Sequence, residues 1–103
     1  LETKIVGKHI TITDSIKDRL EEKVEGLPKY YSNILSTEVI IEGGKDGQQC
    51  SVEVIARGTH NHTFIGKELG QDLYACVDEA VKKVERQLTK QKQKERDNKH
   101  GQQ

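Results

Sequence analysis

Tryptophan and methionine are absent from this 103-residue chain, and phenylalanine occurs once. So little aromatic surface argues against a platform that stacks the bases of single-stranded nucleic acid. No apolar run approaches the roughly 20 residues that a membrane-spanning helix needs. Leu1 to Thr13 alternates polar and apolar residues, with no apolar core of a signal peptide, so a cytoplasmic protein with no membrane partner is expected. There are two cysteines, which make no disulfide framework. Cys50 falls in a strand pattern and Cys76 in a helical one, and both read as reduced thiols of a cytosolic protein, where disulfides are rare. No glycine-rich phosphate loop precedes a helix. Nor is there a nucleophile–base signature or a clustered carboxylate pair, so neither an enzyme nor a small-molecule substrate or cofactor is expected.

Net charge is zero as well, which alone would argue against nucleic acid. The distribution says otherwise. Residues 82–103 hold eight bases and three acids, a surplus of five, and residues 1–81 carry the matching acidic excess. The local field of such a dipolar chain matters more than its sum.

At this length one domain is expected. Thr3–Lys8 alternates as a strand. Thr13 or Asp14 then offers a capping oxygen, and Ile16, Leu20, Val24 and Leu27 follow at helical spacing. Gly26 and Pro28 end that helix, which is expected over Ser15–Leu27. Thr37–Glu42, Cys50–Arg57 and His62–Lys67 read as three strands, joined by a turn at residues 43–47 and another at 58–61. Asp72 caps a second helix, expected from Leu73 to about Lys94, after which the apolar period stops. Residues 95–103 read as a polar, disordered tail, leaving 1–94 as the folded domain.

The order is β-α-β-β-β-α. Short links make the last three strands an antiparallel meander, and a right-handed crossover makes the first two parallel. The fold class is α+β: a two-layer sandwich of a four-stranded mixed sheet with both helices on one face. That arrangement is expected to bring the cationic flanks of the two helices to one side of the molecule.

The second helix carries the densest signal. Leu73, Val77, Ala80, Val81, Val84 and Leu88 form its core face, with Asp78 and Glu85 beyond it on one flank. Lys83, Arg86, Lys90 and Lys94 recur at spacings of three, four and four, which stacks them on an adjoining strip. A solvated face with intrahelical pairs would look similar. Only Glu79 lies near the strip, however, so few acids quench it, and phosphate is the natural partner. His60 and His62 share a strand face near Cys50 in the sequence pattern, but a fourth ligand is lacking, and no metal site is expected. Tyr74 reads as a half-buried residue at the helix start, and Tyr30 and Tyr31 as packing under a loop.

Three blocks carry a likeness to known proteins: Ile10-Thr11-Ile12-Thr13-Asp14, Gly70-Gln71-Asp72-Leu73-Tyr74-Ala75, and Glu85-Arg86-Gln87-Leu88-Thr89-Lys90-Gln91-Lys92. Through them the chain resembles the ribosome hibernation promoting factor family. That family includes protein Y, the ribosome-associated inhibitor A, and older usage calls it sigma-54 modulation protein. The likeness spans about residues 3–94; the second domain by which long members pair ribosomes is not in this sequence, so either a short-type factor or a fragment of a long one is expected. The likeness implies a fold like the double-stranded-RNA-binding domain with an extra first strand. It also implies a monomer that docks on the small ribosomal subunit and its ribosomal RNA, in the channel used by messenger and transfer RNA. There it would silence stored ribosomes in stationary phase. The family's basic positions fall here on Lys17 and Lys23 of the first helix and on Lys83, Arg86, Lys90, Lys92 and Lys94 of the second. The acids Asp18, Glu21, Glu22 and Glu25 make the first helix unusually acidic. Two alternatives remain open at this point: a generic double-stranded RNA module, and a regulator that binds a transcription factor.

Overall fold

The computed structural model describes residues 2–45 and 49–101, and side chains up to Asp97. Its elements run β1 (Glu2–Lys8), α1 (Asp14–Glu25), β2 (Ile34–Gly43), β3 (Cys50–Gly58), β4 (Thr63–Gly70) and α2 (Leu73–Gly101). The strands form one sheet in the order β1-β2-β3-β4. β1 and β2 are parallel, and the other two pairings are antiparallel. The α+β class, the mixed sheet and the order of elements are those read from the sequence.

Register follows from which faces are apolar. Ile5, Val39, Val54 and Gly66 lie side by side across the four strands, all on the face that the helices cover. Above them pack Ile16, Leu20 and Val24 of α1 and Val77, Ala80, Val81, Val84 and Leu88 of α2. Each fully buried aliphatic side chain here contributes about 1.5–3 kcal/mol relative to exposure. Thr37 is a polar residue of this layer, and its hydroxyl donates to Thr3 Oγ1 at 3.2 Å across the β1–β2 pair.

Caps set the helix starts. Thr13 Oγ1 accepts from the Ile16 amide at 3.3 Å, and Asp72 Oδ1 accepts from the amides of Tyr74 and Ala75 at 3.1 and 3.3 Å. Both satisfy amides that a helix start leaves unpaired. α1 stops at Gly26, and Leu27–Lys29 turns as one 3-10 turn with Pro28 inside it. α2 sits very close to β4. A Cβ on Gly66 would run into the Ala80 carbonyl oxygen and lie 3.0 Å from Lys83 Cβ and 3.1 Å from Val84 Cγ2.

Several boundaries differ from the sequence reading. β2 begins at Ile34, three residues early, with an irregular register at Leu35. β4 begins at Thr63 and extends to Gly70, where it pairs with Cys50. His60 is therefore not in a strand: it lies in the 3-10 turn Thr59–Asn61, where His60 and Asn61 adopt positive φ of 59° and 60°. α2 does not stop near Lys94 but runs to Gly101. The expected disordered tail is thus helical up to that point, and residues 102–103 lie outside the described residues. Side-chain pairs one turn apart support the extension: Gln91 donates to Glu95 at 3.5 Å and Gln93 to Asp97 at 3.3 Å. Of the turn expected at residues 43–47, residues 46 and 47 lie outside the described set.

Candidate nucleic-acid interface

Two ion-pair systems mark the two flanks of α2. On one flank, Asp78 accepts from Arg19 Nη2 at 3.0 and 3.3 Å and lies 3.7 Å from Lys23 Nζ. That flank faces α1. Arg19 also lies over the Tyr74 ring, 5.7 Å from its centroid, so one guanidinium ties the two helices by charge and by cation–π contact. On the other flank, Lys83 Nζ donates to the Lys67 carbonyl at 2.7 Å and lies 3.2 Å from Glu68. That flank borders β4. One turn further on, the Gln87 side chain donates to the Ile65 carbonyl at 2.6 Å and accepts from the Ile65 amide at 3.1 Å.

The strip of four cations is therefore not uniform. Lys83 is committed to β4, to a carboxylate that no sequence spacing announces. Glu79, the acid nearest the strip in sequence, pairs with Lys82 at 3.6 Å instead. Arg86, Lys90 and Lys94 are exposed, and none has an ion-pair partner among the described residues. Lys90 and Lys94 rim a groove of about 460 Å³ floored by Phe64 and flanked by Gln87, Gln91 and Gln93, with the Asp97 carboxylate at its end. Lys92 is exposed too, but it borders a smaller hollow with Pro28, Tyr31, Ser32, Asn33 and Glu95. The second half of α2 thus carries cations on both flanks.

α1 contributes differently from expectation. Both helices lie over one sheet face, but the strip on α2 faces away from α1. Lys23 is drawn into the interhelical cluster around Asp78. Lys17 is turned about 200° around α1 from Arg19, so it points away from α2. The structure brings Arg86, Lys90 and Lys94 together. It places Lys92 across the helix from them and Lys17 on the outer flank of α1. The two cationic flanks do not merge into one continuous side.

Sequence reasoning missed three residues that shape this surface. Nothing in its own helix marks Arg19, because its partner, Asp78, lies in the other helix. Gln87 and Gln91 carry no charge or period that would single them out. Gln91 Nε2 lies 3.3 Å from Nε2 of His62, and the His62 ring stacks on Phe64 with centroids 6.1 Å apart. His62 is thereby built into the wall below the groove. Among the described residues, His, Cys, Asp and Glu side chains form no group of three or more that could hold a metal ion. Tyr31 packs edge-on against Phe64 at 5.8 Å. Its hydroxyl is enclosed without a well-formed hydrogen bond, and burial, with the Glu95 carboxylate nearby, pushes its pKa up.

Comparison with known proteins places this geometry in context. A ribosome hibernation promoting factor of Azotobacter vinelandii is 29% identical over 102 residues, covering 99% of this chain and 92% of the relative. The Escherichia coli K12 factor of the same name is 28% identical over 94 residues, covering 91% of this chain and 96% of its own. The N-terminal domain of Thermus thermophilus protein Y superposes with a TM-score of 0.78 at 27% identity, covering 87% of this chain and 98% of that one. A ribosomal subunit interface protein from Coxiella burnetii shares the fold with a TM-score of 0.80 at 21% identity, over 89% and 98% of the two chains. The family model described as Sigma 54 modulation protein / S30EA ribosomal protein matches residues 3–96, nearly the whole described fold, and the chain belongs to that family.

Proposed function

We propose that this protein is a ribosome hibernation factor that binds the small ribosomal subunit through ribosomal RNA and blocks translation by occupying the channel of messenger and transfer RNA. The observation that carries the RNA contact is the row Arg86, Lys90 and Lys94: exposed cations, fixed by a helix that is packed on a sheet, and free of carboxylate partners among the described residues. Rigid cations one helical turn apart meet successive phosphates without first breaking internal pairs. Lys92 extends the contact around the helix. Lys17, Lys23 and Lys83 are secondary contacts in this reading, because Lys23 and Lys83 must release Asp78 and Glu68 before they engage RNA. The names of the Azotobacter and Escherichia relatives support the assignment to hibernation.

The protein works in the cytoplasm as a monomer until it meets a subunit, and it acts by occupancy rather than by turnover. The folded part through Lys94 suffices, because the last buried side chain of α2 among the described residues is Leu88. A cell-free translation reaction titrated with the full chain, and with a version cut after Lys94, tests this. Inhibition should reach completion near one protein per ribosome, be reversed by salt, and leave the RNA intact. Complete inhibition far below that ratio, or cleaved RNA on a gel, would refute occupancy. Binding to isolated duplex RNA as tight as to small subunits would favour a generic duplex-binding module instead.

A further inference from the structure

The fold brings the two cysteines of the chain together, although they are 26 positions apart in sequence. Cys50 opens β3 opposite Gly70 at the end of β4, and its thiol donates to the Gly70 carbonyl at 3.3 Å. Cys76 lies in the first turns of α2, directly above the same glycine. Its Sγ is 2.9 Å from where a Cβ on Gly70 would stand, so the missing side chain at Gly70 leaves the room in which the second sulfur sits. Both sulfurs therefore lie against the same residue, one at the carbonyl of Gly70 and the other where its side chain would stand. Both are free.

We propose that Cys50 and Cys76 form an oxidant-responsive pair that closes a disulfide between the sheet and the base of α2. Their environments divide the work. Cys50 is part-exposed at the mouth of a hollow shared with His9, Ile10, Gly43, Gly44 and Gln71, so a small oxidant reaches it first. Cys76 is 3% exposed. Burial pushes its thiol pKa up, and the Cys50 thiol, Glu68 and Asp72 add to the shift. It is therefore shielded from direct attack and suited to act second.

With a hydroperoxide as oxidant the steps balance. The Cys50 thiolate attacks the peroxide, its sulfur–oxygen bond forms, the peroxide O–O bond breaks, and hydroxide (or alkoxide) leaves. The Cys76 sulfur then attacks the Cys50 sulfenic acid: the S–S bond forms, the S–O bond breaks, and the departing hydroxide takes the Cys76 proton as water. The two sulfurs give up two electrons and the peroxide accepts them. The bridge would pin the start of the helix whose far half carries Arg86, Lys90 and Lys94.

The test uses the reduced full chain and a small excess of hydrogen peroxide. It is followed by alkylation of remaining thiols, mass spectrometry and thermal unfolding. We expect the mass to fall by two hydrogens, no alkylation, a cross-linked peptide pair, and a thermal midpoint raised by about 5–15 °C that dithiothreitol reverses. The Cys76→Ala and Cys50→Ala variants separate the roles. With Cys76→Ala, Cys50 should be captured by dimedone as sulfenic acid. With Cys50→Ala, Cys76 should resist the same dose. The pairing is overturned if the wild-type chain carries Cys50 on to sulfinic acid as readily as Cys76→Ala does. It is overturned too if both wild-type thiols remain alkylatable after treatment. None of these readouts involves ribosomes, so the result stands apart from the functional reading above.

Discussion

Gly66→Ala tests the seating of α2 directly. A methyl group at this position points from β4 into the underside of the helix, against the Ala80 carbonyl, Lys83 Cβ at 3.0 Å and Val84 Cγ2 at 3.1 Å. The first of these is backbone and cannot swing aside, so the helix must lift by roughly 1 Å, a gap that forfeits a quarter to a half of the dispersion well for the atoms that separate. Val77, Ala80, Val81 and Val84 all lie in that contact. Overpacking of this kind costs about 1–3 kcal/mol. Alanine offsets part of it, because glycine in a strand is about 0.5–1 kcal/mol worse than alanine. The net expectation is a loss of about 1–2 kcal/mol, seen as a urea midpoint lower by about 0.5–1 M with an unchanged slope. Gly26→Ala is the internal control. Gly26 has φ of −79° and an added Cβ would meet only the Lys23 carbonyl, at 3.5 Å. That variant should gain about 0.4–1 kcal/mol through the unfolded chain. If Gly66→Ala stays within about 0.5 kcal/mol of the parent while Gly26→Ala shows its gain, the close seating of α2 on β4 is wrong.

Affinity for small subunits should fall with rising salt at a log–log slope of roughly −3 to −5, as four to six phosphate contacts require, and a slope near zero would remove the electrostatic account. Charge reversal at both Arg86 and Lys90 should abolish cosedimentation with small subunits. Because both side chains are exposed, it should change stability by less than about 0.5 kcal/mol. By contrast, Val84→Asp should unfold the domain by circular dichroism, since it buries a carboxylate at a position with 0% exposure. Gln87→Ala should cost about 1 kcal/mol and speed hydrogen exchange at the Ile65 amide, whose partner it removes; unaltered exchange there would mean that the clasp does not persist in solution.

What was legible in the chain was whatever a single element expresses along its own length. The apolar period from Leu73 to Leu88, the cap at Asp72 and the stop at Gly26-Leu27-Pro28 each act within a turn or two, and they yielded the architecture. The end of α2 was not legible in this way. Beyond Leu88 no buried side chain among the described residues marks a period, and the helix continues on intrinsic propensity and Gln–acid pairs. The start of β2 at Ile34 was hidden behind a polar turn. The candidate site was legible as a strip and not as a set of free charges. Whether Lys83 is available depends on Glu68, which reaches it only through the β3–β4 register and the docking of α2. The same holds for Arg19 and Asp78, which meet across 59 positions. Helical spacing names a flank, but it cannot say whether that flank faces solvent, a strand or another helix.

The clasp of α2 on β4 has a consequence for how this sheet meets other chains. Along the outer edge of β4, Gln87 occupies both backbone groups of Ile65, and Lys83 occupies the carbonyl of Lys67. These are the outward-pointing groups an added strand would seek. In effect two side chains, one turn apart, stand in for a fifth strand. The opposite edge, β1, has no such clasp: among the described residues no side chain hydrogen-bonds to its backbone. Strand-by-strand growth needs an open edge on each side of every unit, because the newcomer must present a fresh edge to the next. With the middle of β4 covered at Ile65 and Lys67, an added strand meets less resistance at β1 than at β4. Crowding at high concentration would therefore favour pairs joined through β1 over the stacked runs of strands that make fibres.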